Sequence, residues 1–309
     1  MPDNSSSKAE GSASADARRS NVAAGMAYAL AGFALLSGGD GLIKSTSGEW
    51  PGMAVAALRF TIGAVGLGIV LLLVEGRGGF RFPLPRVQLA RGFFLAVATL
   101  TFFTSIFLMP LATAVSIQFM APLLTAAISA LLYRERLSRG RWVATLVAFI
   151  GVIIVLRPSF AELGWAALLP LAAAFGMSGL MMANARAAGS GSVLLMQFIV
   201  AAIAAPILLL AAAIGHFSGY PPLQIGWPTQ HVVLVCTVVA VSASFAHMLI
   251  YTATVRGSAA VVAPMVYVQI LVAIGLGVVF YQDYPDLVAL AGTGIIIASG
   301  IYLLRDGRK

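Results

Sequence analysis

Ten long apolar stretches run through this chain, and its basic residues crowd into every second gap between them. The stretches cover residues 22–43, 53–74, 87–108, 112–133, 142–156, 163–184, 192–214, 231–252, 258–280 and 287–304. Of the 19 Lys and Arg residues, 16 fall in the N-terminal tail, in alternate loops or in the C-terminal tail. Lys44, Arg59 and Arg157 are the exceptions. Cytoplasmic loops keep an excess of Lys and Arg during insertion, so the alternation gives topology and orientation together. The expectation is a multi-pass protein of a bacterial-type inner membrane with both termini cytoplasmic.

Crossing about 30 Å of hydrocarbon takes roughly 20 helical residues at about 1.5 Å each. Most stretches reach that length; the fifth and tenth are short. Strands of a membrane barrel would be about 10 residues long and strictly alternating, whereas these runs are apolar throughout. The predicted fold class is an all-α polytopic bundle of ten transmembrane helices. Small residues such as Gly63, Gly66, Gly68, Gly292 and Gly294 allow its helices to approach closely.

Composition agrees with this class. The chain is 60% hydrophobic and 10% charged, with a mean hydropathy of +0.96, against about one quarter charged residues in soluble domains. The net charge of +8 does not point to nucleic acid, because the basic residues flank membrane spans instead of forming one continuous face. Cys236 is the only cysteine and lies inside an apolar stretch, so neither a disulfide framework nor a cysteine-based metal site is expected.

Residues 1–20 are polar and rich in Ser and Ala, and they read as a disordered cytoplasmic tail. Arg18 and Arg19 precede the first apolar stretch, which raises a cleaved secretory signal as a rival reading. That stretch is longer than a signal-peptide core and nine more follow, so it reads as an uncleaved first helix. The longest loop, 215–230, contains Tyr220 and Trp227 but no Lys or Arg. It is expected outside, with its aromatics at the interface.

The chain divides into two halves that echo each other, residues 21–157 and 158–305, followed by a cytoplasmic tail at 306–309. Stretches four and five read LATAVSIQFMAPLLTAAISALLYRERLSRGRWVATLVAFIGVIIVL, and stretches nine and ten read RGSAAVVAPMVYVQILVAIGLGVVFYQDYPDLVALAGTGIIIASGIYLL. Each passes from small residues through a proline-bearing helix to an aromatic, a turn with acidic residues and a Gly-containing helix. Five spans per half is an odd number, so the second half is expected upside down relative to the first. The charges agree: Arg134, Arg136, Arg139 and Arg141 surround one turn, and Asp283 and Asp286 occupy its counterpart. Two inverted five-helix repeats of this kind hold a substrate site near the midplane between them.

The ten-span plan, the run AVSIQFMAPLLTAAISALLYRERLSRGRW and its echo in stretch nine resemble the EamA family of the drug/metabolite transporter superfamily. The resemblance covers roughly residues 22–304. The second copy departs from the first, with YQDYPD in place of a glutamate-led turn. Membership would imply transport of small metabolites by alternating access without nucleotide hydrolysis.

Polar residues inside the spans are the candidates for function. Asp40 and Lys44 share one helix face near the outer end of stretch one, and Arg59 lies about 9 Å into stretch two, within reach of the same layer. Ionisable groups at such depth are costly and face the bundle interior or a water-filled cavity. A structural ion pair, a gate or coupling site, and snorkelling of Lys44 all fit. His247, near the inner end of stretch eight, is either a hydrogen-bonded structural residue or a proton-coupling group. Gln118, Gln197, Tyr267 and Gln269 are uncharged hydrogen-bonding groups toward mid-span. They serve either substrate contact or helix-to-helix bonds. Phe102, Phe103, Phe175 and Met177 are wall or packing residues. Pro122 and Pro264 interrupt related helices, as hinges or as tolerated kinks. Glu135, among arginines at the inner boundary, balances that cluster.

The chain contains no HExxH, no paired metal carboxylates, no P-loop and no Ser-His-Asp grouping. The expectation is therefore a secondary transporter and not an enzyme, with no cofactor and no metal. Its partners are a small-molecule substrate, the lipid bilayer and protons as a coupling ion, and it is a monomer or a homodimer. Amino acids, amines, vitamins and nucleoside-like solutes all fit, in either direction. A non-transporting membrane sensor or scaffold is the alternative, and an integral membrane enzyme is a more distant one.

Overall fold

The computed structural model describes residues 4–133, 139–257 and 263–306. Its helices are α1 (Asn4–Lys44), α2 (Gly52–Glu75), α3 (Pro85–Leu108), α4 (Leu111–Gln118), α5 (Ala121–Tyr133), α6 (Arg139–Leu163), α7 (Leu169–Ala187), α8 (Val193–Phe217), α9 (Gln230–Gly257), α10 (Val268–Tyr281) and α11 (Leu287–Asp306). Short 3-10 turns join some of them, and no strand occurs among the described residues. Backbone polar groups have no water to bond to inside a bilayer, so an apolar run of this length satisfies them internally by forming a helix.

Seven helical stretches are long and apolar enough to cross a membrane: Ala23–Lys44, Gly52–Glu75, Pro85–Leu108, Leu111–Leu132, Phe160–Ala187, Val193–Phe217 and Gln230–Thr254. Trp142–Arg157, Met265–Tyr281 and Leu287–Leu303 are shorter apolar helices. The protein is thus a multi-pass membrane protein. Large apolar side chains such as Leu73, Leu131, Leu210 and Leu271 point outward, where lipid replaces the water that would otherwise disfavour them. Trp165, Tyr220, Trp227 and Tyr284, in the connections that follow α6, α8 and α10, are exposed, and aromatics of this kind suit a membrane interface.

Two local features depart from the sequence expectation. Residues 4–20, expected to be disordered, continue α1 as helix ahead of its apolar part. Extending a helix that already exists avoids the nucleation penalty, and this tail contains no proline beyond Pro2. The fourth stretch is broken in two. Pro122 lacks the N–H that would bond to the Gln118 carbonyl, and the chain turns through Phe119 and Met120, whose N–H groups donate to Val115 (3.1 Å) and Ile117 (3.0 Å). The ninth stretch likewise enters α10 through a 3-10 turn, Ala263–Tyr267, that contains Pro264. Arg134, Glu135 and Arg136 lie outside the described residues.

Packing joins the two halves pairwise. α1 runs along α9 and α7 along α3, while α2 meets α8, α4 meets α10 and α6 meets α11. Glycines make these contacts close, as expected where no hydrophobic drive operates between helices. A Cβ on Gly151 of α6 would stand 2.9 Å from the Gly292 carbonyl oxygen of α11, and one on Gly292 would stand 2.8 Å from that of Gly151. In the same way a Cβ on Gly32 of α1 would meet the Ala246 carbonyl of α9 at 2.9 Å, and one on Gly176 of α7 would meet the Ala98 amide nitrogen of α3 at 2.8 Å. The fully buried Ile106, Leu111, Ile117, Met120, Leu123, Ile270 and Ile296 form the core around the broken fourth stretch.

Candidate functional site

A cavity of about 230 Å³ lies inside the bundle, lined by side chains of α1, α2, α3, α4, α7, α8, α9 and α10. It brings together most of the residues singled out from sequence: Asp40, Arg59, Gln118, Gln197, His247 and Gln269 line it, with Phe102, Phe103 and Met177 on its walls. Phe175 turns away and is exposed. Helical rise sets the depth of each polar group. With the ends named by the orientation expected from the sequence, Asp40 is about 6 Å below the outer end of α1, and Arg91 is about 9 Å above the inner end of α3. The cavity therefore has an outer charged part and an inner one.

In the outer part, the Arg59 guanidinium lies over the Phe60 ring at 4.8 Å and over the Phe103 ring at 5.6 Å, a geometry in which aromatic faces stabilise a desolvated cation. Asp40 lines the same cavity, but no direct ion pair joins it to Arg59 among the described residues. Ser37, one turn before Asp40, donates to the Gln269 carbonyl at 2.9 Å and ties α1 to the start of α10.

The inner part is built on Arg91. The charge pattern groups it with the cytoplasmic loop residues, yet it sits in the second turn of α3 and is only 6% exposed. Its Nε donates to Asn184 Oδ1 at 2.6 Å, and its Nη1 donates to Gln88 Oε1 at 2.6 Å and approaches Met196 Sδ at 3.4 Å. Gly92 makes room for this arrangement, because a Cβ there would collide with Ile203 of α8. Asn184, Thr99 and Ser242 also line the cavity and were not singled out from sequence. The available signal was position: Arg91 lies five residues inside an apolar stretch, and its charge was assigned to the neighbouring loop.

Two expected site residues stand elsewhere. Lys44 does not pair with Asp40; its Nζ donates to Asp283 Oδ2 at 2.7 Å and to the Met109 carbonyl at 3.0 Å. At the C-terminal end of α1 its ammonium reaches across to the α10–α11 loop, and it lies 5.2 Å from the Tyr281 ring centroid. Tyr281 in turn donates to the Gly41 carbonyl at 2.5 Å. Tyr267 is buried behind the cavity, against the Phe119 ring at 5.4 Å and against Gly300 of α11. Pro122 follows the break between α4 and α5 and is not among the residues that line the cavity, and Pro264 falls in the 3-10 turn that leads into α10.

Further contacts join the loop after α1 to the segment between α8 and α9. Trp50 Nε1 donates to the Gly226 carbonyl at 2.9 Å. Thr229 donates to Glu49 Oε2 at 2.6 Å, and His231 Nδ1 lies 2.7 Å from Glu49 Oε1. The Thr229 hydroxyl first, and His231 second, hold the Glu49 carboxyl below its ordinary value. No group of three or more His, Cys, Asp or Glu suited to a metal ion occurs among the described residues.

The profile of the EamA-like transporter family matches the chain twice, over residues 23–157 and 164–305. The chain is similar to the S-adenosylmethionine uptake transporter of Rickettsia bellii, 23% identical over 285 residues, which is 92% of this chain and 94% of that protein. It is also 23% identical to the S-adenosylmethionine uptake transporter of Rickettsia prowazekii, over 82% of this chain and 83% of the relative. A solved crystal structure shares the fold with a TM-score of 0.57 at 20% identity, over 94% of this chain and 99% of the other.

Proposed function

Because the chain belongs to the EamA-like transporter family, we propose that it is a secondary transporter that carries a small metabolite across the inner membrane by alternating access. The observation that carries this reading is the cavity, a chamber with charged and amide groups enclosed by helices of both halves. Polar and ionisable groups are expensive at bilayer depth and are retained where a solute path needs them.

Two inverted five-helix repeats account for the helix pairing. Exchanging the halves turns the α1–α9 contact into the α7–α3 contact, and it maps α2–α8, α4–α10 and α6–α11 each onto itself. A pseudo-two-fold arrangement of this kind allows one half to rock against the other around a fixed site. In this reading Gln118, Gln197 and Gln269 orient the solute, and Phe102 and Met177 form its wall. Asp40 and Arg59 tune entry from the outer side, His247 couples proton movement, and the breaks at Pro122 and Pro264 are hinges. Lys44 acts by holding Asp283, which keeps the outer end closed.

The activity for which the Rickettsia relatives are named makes S-adenosylmethionine the first solute to try, among amino acids, amines, vitamins and nucleoside-like compounds. The test is uptake of labelled solute by proteoliposomes that contain the purified protein. Saturable flux above protein-free vesicles is expected, reduced by Gln118→Ala, Gln197→Ala or Gln269→Ala. Unchanged flux in all three variants would remove the proposed site.

A further inference from the structure

Arg91 differs from the cavity's other arginine in having no counter-charge. Arg59 lines the cavity together with Asp40, whereas among the described residues no carboxylate accepts from Arg91. Its described partners are the two amides of Asn184 and Gln88 and the thioether of Met196. A guanidinium carries five N–H donors. Those contacts take Nε and the two hydrogens of Nη1, and they leave both donors of Nη2 without a partner among the described residues. No fully buried side-chain nitrogen there lacks a partner, so Nη2 keeps accessible surface, and Arg91 is one of the residues that line the cavity.

A buried cation satisfied only by neutral groups is unfavourable in a low-dielectric interior, and an anion that reaches it recovers much of that loss. Arginine's fixed donors suit a carboxylate in both geometry and charge. The surrounding amides hold the guanidinium in place, so little further ordering is needed when the anion arrives. Next to Arg91 the wall is apolar, formed by Leu95, Ala98, Leu180 and Phe102.

Taking the cavity as the transport site proposed above, we propose that its solute carries a carboxylate, that Arg91 receives this group at the inner end, and that an apolar or aromatic body lies against Leu95 and Phe102. Tryptophan against tryptamine, and S-adenosylmethionine against its decarboxylated form, are probe pairs that differ in this group alone. Each compound is offered to the full-length protein in two assays, counterflow in proteoliposomes and thermal stabilisation in detergent.

The carboxylate member of a pair is expected to be preferred by roughly ten- to a hundredfold, the range of a charge-assisted hydrogen bond. Arg91→Gln should bring the ratio close to one, and Arg91→Lys should restore part of it. Asn184→Ala, which keeps the cation and loosens its position, should lower the ratio less than Arg91→Gln does. Equal handling of both members by the wild-type protein, or an undiminished preference in folded Arg91→Gln, overturns the assignment. Carboxylate-selective stabilisation without flux would instead overturn the transport reading and leave the Arg91 assignment standing.

Discussion

Lys44 at the end of α1 donates to Asp283 in the α10–α11 loop at 2.7 Å, joining positions 239 residues apart. Both side chains are mostly shielded, at 12% and 21% exposure. The pair sits above Asp40 and Arg59, where it spans the first and last thirds of the chain.

The Lys44–Asp283 pair should therefore contribute measurable coupling. In a double-mutant cycle with Lys44→Met and Asp283→Leu, thermal unfolding in detergent is expected to give a coupling of about 1–2 kcal/mol. Coupling near zero would mean that the pair forms without holding the two segments together.

Acid should loosen the Glu49 contact. Its carboxyl is held below the ordinary value of 4.5, chiefly by the Thr229 hydroxyl. A depressed carboxyl stabilises the folded arrangement above its unfolded value, and that contribution is lost as pH falls below 4.5 through the folded value. Amide protection factors at residues 229–232, corrected for the intrinsic pH dependence of exchange, are expected to fall below that pH in wild type. Thr229→Val should shift the onset upward, toward the ordinary carboxylate range.

The crossing of α6 and α11 depends on bare backbone at two positions. Gly151→Ala or Gly292→Ala places a methyl group against the opposite carbonyl and should destabilise the protein by about 1–3 kcal/mol. Gly294→Ala lies on the same helix, where an added Cβ meets nothing within 4 Å. That variant should be neutral or gain up to about 1 kcal/mol from helix propensity. Melting temperatures of the three variants side by side check the contrast.

Charge balance in the outer cavity makes single and double substitutions differ. Asp40→Asn leaves Arg59 without its carboxylate, and counterflow is expected to fall by about tenfold or more. Asp40→Asn combined with Arg59→Gln should recover part of that loss, since neither charge is then stranded. A double variant worse than either single one would assign the two residues independent roles in solute contact.

Much of the bundle was legible from sequence because the bilayer imposes a simple rule: apolar runs of sufficient length become helices. The polar groups Asp40, Gln118, Gln197 and Gln269 also converged as expected, since a polar side chain in such a run has few places to go except inward. Long-range partner choice was not legible. Asp40 is one turn from Lys44, but helical spacing sees only local neighbours, and the loop that delivers Asp283 comes from the opposite end of the sequence. Arg91 was missed for a related reason. The rule that reads Lys and Arg as cytoplasmic markers assigned it to the adjacent loop, although its neighbours Gly92 and Ala96 already belong to a packed helix. Tyr267 shows the converse, because depth alone leaves a mid-span hydroxyl open between solute contact and helix packing, and its ring packs against Phe119 and Gly300.

The most direct test of the account is solute counterflow in sealed proteoliposomes loaded with S-adenosylmethionine or tryptophan. The account predicts accumulation of external label that saturates, is abolished by collapsing the internal pool, and falls in the cavity variants. Vesicles whose protein binds the solute but moves no label above protein-free controls would contradict it.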